Sequence, residues 1–468
     1  MIRTKAALNI HMLRILFLLL LTGCGVGVIA QKTQISGDSL TQTLDKYFMS
    51  ANQAYKLNGC VLVAQKGNIL LNKAYGYANI KSQLYNDTLT RFPILSITKS
   101  FTSTTILKLQ EEGKLSVKDK LSKYFPDYQY GKKITIENLL THSSGISNFT
   151  DIVGEEDSAI INHPIPKARI LEAFMTKPLD FEPGSRYSYN NSGYFLLGII
   201  IEKVTGQSYQ QIVRKYIFTP LGMSHSGFDF NNLPQNTKAQ GHSVFDTFRQ
   251  KPYKYYDSTY AYSAGSIYST GGDLYKFAKA IASNKILTPN SWRNAFKPRL
   301  NQYGYGWNIG NLFGRDYVSH DGGYPGFMSS FVYFPKEDIT IIILNNFGNY
   351  GQNVWATGMG VASILFNLPF DFWQPRTEQK VDETTLKQYV GLYKINKKTG
   401  LRITYNNGQL HMKGVGNSQA PELPLLPESK HQFFLRDFNT TATFIKDGDS
   451  FKLIIHEHGN DSEWKVEK

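Results

Sequence analysis

The chain has 468 residues, more than one ordinary core accommodates, so two domains or one large one are expected. Hydrophobic residues make up 41% and charged residues 19%, a globular balance that excludes disordered and collagen-like classes. The net charge is +14, yet no lysine or arginine cluster reaches the length of a basic tail, which argues against nucleic acid and for a basic surface.

Arg3, Lys5 and Arg14 precede an apolar run from Ile15 to Leu21 that is too short to span a bilayer. This is the layout of a secretory signal peptide, and two exits are readable. Val28-Ile29-Ala30 before Gln31 fits cleavage after residue 30, the reading preferred here, with residues 1–30 as the signal peptide. Leu21-Thr22-Gly23-Cys24 resembles a bacterial lipobox, which would anchor the chain to a membrane through a lipidated Cys24. Either exit implies export: periplasmic, secreted, or held in the envelope as a lipoprotein. After cleavage at Ala30 one cysteine remains, Cys60, so no disulfide staples the fold. It lies in the strand-like run Cys60-Val61-Leu62-Val63, where a buried, inert thiol is expected. No paired-cysteine or His-Glu-x-x-His pattern occurs. His456 and His458 read as surface residues, and neither a metal nor any other cofactor is expected.

From Ser39 to Phe370 the pattern is mixed. The spacing predicts strands over Gly59–Gln65 and 68–77, and a helix over 98–112. A second helix, Ser192–Val204, is apolar nearly all round and therefore buried. Phe327–Phe334 and Ile339–Asn345 bracket Pro335-Lys336-Glu337-Asp338 and read as a hairpin. Strands at both ends with helices between them predict an α/β (α+β) antiparallel sheet completed by both termini, carrying a helical lobe. Residues 374–382 read as a linker between a domain at 31–375 and a small all-β domain at 380–468. In that tail of about 85 residues, short alternating runs are separated by turn signals such as Asn407-Gly408, Asp447-Gly448 and Asn460-Asp461, which predicts a sandwich or barrel.

The chemistry rests on three short motifs. Ser96-Ile97-Thr98-Lys99 opens the first helix, where residues three apart share a face and the lysine amine reaches the serine hydroxyl. A serine hydroxyl needs a base to act as a nucleophile, and lysine serves when desolvation lowers its pKa. Ser462-Glu463-Trp464-Lys465 has the same spacing in the β tail and is expected to be a coincidence. Tyr189-Asn190-Asn191 follows the turn Phe181-Glu182-Pro183-Gly184. In an extended stretch Tyr189 and Asn191 point the same way, into one cleft. His320-Asp321-Gly322-Gly323 lies beside the hairpin, its glycines allowing close approach to a strand edge. His142 reads as a structural histidine that satisfies backbone groups.

In this order the three motifs resemble the serine β-lactamase and penicillin-binding-protein superfamily, in its class C-like branch of esterases, D-aminopeptidases and D-Ala-D-Ala carboxypeptidases. The likeness runs from Gly59 to Asn346. It includes Lys73-Ala74-Tyr75-Gly76-Tyr77, Glu112-Gly113-Lys114-Leu115, Leu139-Leu140-Thr141-His142, Pro220-Leu221-Gly222-Met223 and Gly322-Gly323-Tyr324-Pro325-Gly326. The resemblance implies a transpeptidase-like sheet flanked by helices, with the site between the sheet and the helical lobe. It also implies that Ser96 is acylated, that Lys99 accepts its proton and that Tyr189 passes it to the leaving group. Asn191 would hold Lys99 or a substrate amide, and the backbone N–H groups of Ser96 and Gly323 would form an oxyanion hole. Gly322 and His320 would flank the substrate.

Class C β-lactamases carry Lys-Thr-Gly where this chain has His320-Asp321-Gly322, and the histidine form resembles esterase and D-peptidase members. The expected activity is therefore acyl-enzyme hydrolysis of esters, D-amino-acid peptides or amides, or related cell-wall substrates. A true class C-like β-lactamase and a catalytically silent penicillin-binding-like sensor are the alternatives. An α/β-hydrolase is disfavoured because no Gly-x-Ser-x-Gly elbow occurs; Gly241-His242-Ser243 fails at the last position. The partner is a small molecule or peptide, and nothing in the pattern sets an oligomeric state.

Overall fold

The computed structural model describes residues 39–153, 158–242, 252–348, 353–397, 399–415 and 422–467. The leader, with its Ala30 and Cys24 exits, lies outside the described residues. Two compact units emerge, one spanning Leu57–Val354 and the other uniting the N-terminal segment up to Lys56 with Trp355–Lys468.

The first unit is built on a six-stranded antiparallel sheet. Its strands are β1 (Gly59–Gln65), β2 (Asn68–Tyr75), β3 (Asn308–Leu312), β4 (Arg315–Tyr324), β5 (Phe327–Phe334) and β6 (Ile339–Asn345). They lie in the order β2-β1-β6-β5-β4-β3, so the two ends of the unit close one sheet as expected. Every residue of β5 and β6 is buried, which is why both read as unbroken apolar runs. β3 pairs with β4 only from Arg315 to Ser319. The second half of β4, from His320 to Tyr324, runs on past the end of β3 while keeping its pairing to β5.

Two helices carry the site against this sheet. Helix α1 (Thr98–Glu111) is buried over most of its length, although it is rich in hydroxyls rather than alkyl groups. Those hydroxyls are satisfied by backbone carbonyls. Thr104 Oγ1 donates to Ser100 O at 2.7 Å, Ser100 Oγ to Gly306 O at 2.8 Å and Thr102 Oγ1 to Ser263 O at 2.7 Å. Helix α2 (Asn191–Thr205) is buried from Ser192 to Ile201 and is capped by the Asn190 side chain, which accepts from the Gly193 N–H at 2.8 Å.

In the second unit, helix Leu40–Gln53 starts in a reciprocal capping box between Ser39 and Gln42. Its Tyr47 needs Gly360 opposite it, where a Cβ would fall 2.0 Å from the tyrosine hydroxyl. The tail closes into an eight-stranded barrel running from Gly391–Lys394 to Asn460–Val466, the first strand pairing with the last. Tyr389 stacks on Phe444 at 4.2 Å within its core. Asn407 and Gly408, at φ 51° and 83°, form the expected tight turn. The last turn falls at His458-Gly459, two residues before the Asn460-Asp461 signal, because those two residues take the positive φ values of 50° and 70°. The segment expected to be a linker is tied to the barrel: Arg376 pairs with Glu428, and the Gln379 N–H donates to Pro427 O at 2.8 Å.

Candidate active site

The turn that carries Ser96 is held before the helix begins. The Ile94 N–H donates to Ile267 O at 2.9 Å, and Ser329 Oγ on β5 donates to Ile94 O at 2.8 Å. Leu95 then takes φ 53°, a left-handed conformation that a branched side chain adopts at a cost of about 1–3 kcal/mol. That bend starts one 3-10 turn, Leu95–Ile97, which runs directly into α1. Ser96 is left partly exposed while its neighbours Leu95 and Ile97 are buried. Gly322 on β4 makes this arrangement possible. A Cβ there would lie 2.5 Å from Ile94 O and 2.6 Å from the Leu95 Cβ, so any side chain would push the sheet away from the serine.

Lys99 is 0% exposed. Its Nζ lies 3.1 Å from Ser96 Oγ, 2.8 Å from Asn191 Oδ1 and 2.7 Å from Ala264 O. Burial pushes the amine well below its ordinary pKa range. A neutral amine has two N–H groups and one lone pair. Asn191 Oδ1 and Ala264 O can only accept, so they take both hydrogens and leave the lone pair for the serine hydroxyl. The Asn191 amide is itself oriented: its Nδ2 donates to Thr150 Oγ1 at 3.2 Å and its backbone N–H to Asn148 Oδ1 at 2.9 Å. Of the two roles expected for Asn191, contact with Lys99 is the one this geometry makes.

Tyr189 lies beside this group, with Lys99 Nζ 4.9 Å from its ring centroid. Burial holds its phenol well above the ordinary range, and a hydrogen bond with Ser96 offsets part of that rise. The two titrating groups are therefore driven apart, toward a neutral amine and a protonated phenol, the pattern of an acid–base pair.

His320 is 2% exposed and on the same face of β4 as Gly322. Its Nδ1 lies 2.7 Å from Asp321 O, an acceptor, and therefore carries a proton; Nε2 lies 2.9 Å from the Tyr303 hydroxyl. Both nitrogens are engaged within the protein, so a hydrogen bond from His320 to substrate requires exchange of the Tyr303 contact. Asp321 accepts from Ser330 Oγ at 2.8 Å on the opposite face. Gly323 stands on the free half of β4, paired with Met328 across the sheet.

Ser96, Lys99, Tyr189 and Asn191 thus converge, with Gly322 of β4 against the same turn. Ser462 and Lys465 sit on one barrel strand, far along the chain. Sequence reasoning missed Ala264, Asn148, Thr150 and Tyr303. Ala264 acts through its carbonyl and leaves no side-chain signature. Two residues earlier, Tyr262 sits at φ 44° and ψ −124°.

The Beta-lactamase family model matches residues 44–355. The chain belongs to that family. It is a serine hydrolase that works through an acyl-enzyme. A second model, a domain of unknown function (DUF3471), matches residues 375–467, which include the barrel. The chain is 30% identical over 446 residues to penicillin-binding protein 4* of Bacillus subtilis, covering 90% of this chain and 97% of that one. Among solved structures it resembles the octameric penicillin-binding protein homologue from Pyrococcus abyssi, at TM-score 0.64 and 24% identity over 91% of this chain and 99% of the other. D-amino acid amidase from Ochrobactrum anthropi aligns at TM-score 0.63 and 22% identity, over 70% of this chain and 99% of its own. At these identities the two structures speak to the fold.

Proposed function

We propose that Ser96 is the acylated nucleophile and Lys99 its base, in an enzyme that cleaves amides or peptides of D-amino acids and short-chain esters. The observation that carries this reading is the Lys99 amine, fully buried, pinned by two acceptors and 3.1 Å from Ser96 Oγ. Lys99 takes the Ser96 proton as Oγ bonds to the substrate carbonyl carbon. The oxyanion is received by the backbone N–H groups of Ser96 and Gly323. Tyr189, kept as a phenol, passes a proton to the leaving amine or alcohol as the scissile bond breaks. Water, giving a proton back to the same pair, then attacks the acyl ester and restores Ser96. The names of the relatives, a penicillin-binding protein and a D-amino acid amidase, support a D-amino-acid substrate class.

With His320 at the position of the lysine of class C β-lactamases, the site lacks a permanent cation to attract a drug carboxylate. Penicillins and cephalosporins should be poor substrates. The test is the ratio of kcat/KM for a D-amino-acid amide or short ester to that for a cephalosporin, in wild type and His320→Lys. A wild-type enzyme that prefers the ester or amide, with a ratio that moves toward the cephalosporin in the variant, supports the reading; faster clearance of cephalosporin by wild type overturns it. The signal-like leader and the +14 net charge support export to an anionic cell envelope, by cleavage at Ala30 or by lipidation at Cys24.

A further inference from the structure

We propose that His142 is a positioning residue that sets Tyr189 over Ser96 by clamping the backbone on both sides of it. His142 is 1% exposed and sits at φ 55°, a conformation histidine tolerates better than most residues. Its carbonyl accepts from the Ser188 N–H at 2.9 Å. Its Nδ1 accepts from the Asn190 N–H at 3.1 Å. The two bonds bracket Tyr189. The imidazole ring lies 4.3 Å from the Tyr189 ring and also packs on Tyr194 and Tyr303, at 5.1 and 4.7 Å.

A backbone N–H can only donate, so Nδ1 is the unprotonated nitrogen and His142 is held as one neutral tautomer. The extended backbone at Asn190 (φ −148°, ψ 119°) is the register that turns Tyr189 and Asn191 to the same side. Asn190 itself turns back, capping α2 and donating from Nδ2 to Ile146 O. The 142–146 loop thus anchors the middle residue of the motif while the outer two face Ser96 and Lys99. Without the Nδ1 acceptor, the Asn190 N–H loses a buried partner and the Tyr189 hydroxyl loses its fixed placement.

This inference rests on the role given to Tyr189 above. Asparagine ends where Nδ1 sits, and glutamine reaches the Nε2 position instead, so the two polar variants separate the clamp from general packing. His142→Gln should lower kcat by about 10- to 100-fold with KM nearly unchanged, the size of effect that a misplacement of about 1 Å produces. His142→Asn should recover most of that loss. In a Tyr189→Phe background, His142→Gln should add little further loss, because the group it positions is gone. The clamp would be overturned by equal defects in the two polar variants, by a defect confined to KM, or by His142→Gln and Tyr189→Phe defects that simply multiply. Ser96→Ala serves as the separate control. If it remained active, the catalytic assignment itself would fall; if it is inactive while His142→Gln keeps wild-type kcat, only the clamp fails.

Discussion

Two tetrapeptides in this chain have the same Ser-x-x-Lys form and opposite surroundings. At Ser96 the spacing of three falls across a 3-10 turn running into α1, and the lysine amine ends 3.1 Å from the serine hydroxyl. At Ser462 it falls on the barrel strand Asn460–Val466, where side chains alternate, so the two groups leave from opposite faces. Ser462 accepts from Trp464 Nε1 at 2.9 Å and donates to Ile455 O at 3.3 Å, while Lys465 is exposed. Lys99, by contrast, is closed off from water, and burial alone drives its pKa down. On the proposed mechanism a serine becomes reactive through a desolvated amine beside it and the acceptors that aim its lone pair; the spacing is a precondition that a strand cannot use.

The largest effect expected from that contrast is a full loss. Ser96→Ala should abolish turnover of an activated ester with folding intact, and Ser462→Ala should leave kcat/KM unchanged. The reverse pattern would mean that the wrong tetrapeptide had been chosen. Lys99→Ala and Tyr189→Phe should each lower kcat by about 10²–10⁴-fold. Because the two groups share one proton, the double variant should be far less impaired than the product of the single defects. Steady-state kinetics on all three decides whether they act as a unit.

The pH dependence sharpens the contrast next. A base whose folded pKa is depressed is available once pH rises above that depressed value. The acid limb of kcat/KM should therefore lie well below the ordinary lysine value of about 10.4. A limb at the ordinary value would contradict a desolvated Lys99. The smallest effect concerns the barrel's own unit, where a charge is favoured rather than excluded. His456 lies between Asp371 at 3.1 Å and Asp461 at 2.6 Å, and the hydrogen bond to Asp371 raises its pKa to about 9. A raised pKa gives stability that is complete below the unfolded value of about 6.5 and is lost as pH climbs through about 9. The side chain is partly exposed, so screening leaves an effect on the order of 1 kcal/mol. Thermal melts from pH 6 to 10 should decline in wild type and flatten in His456→Gln.

Much of the architecture was legible because apolar periodicity and burial coincide. The unbroken runs of β5 and β6 and the all-round apolar text of α2 describe elements covered on every side. The barrel was legible from its turns, since Asn407-Gly408 has the residues that positive φ requires. It misled at Asn460-Asp461, where the register put the turn on His458-Gly459. At the site, the side chains that carry motifs could be named, but their supports could not. Ala264 contributes a carbonyl, and Asn148 and Thr150 act by turning one amide. His142 looked like a residue that satisfies backbone, which it is; which backbone it satisfies depends on a contact 48 residues away.

The most direct measurement of the central claim is covalent capture. A fluorescent alkyl phosphonate should react once per chain, and mass spectrometry of the digested adduct should place the label on Ser96. The rate of labelling should collapse in Lys99→Ala and be unaffected in Ser462→Ala. Label on any other serine, or undiminished labelling of Ser96 in the absence of the Lys99 amine, would contradict the account.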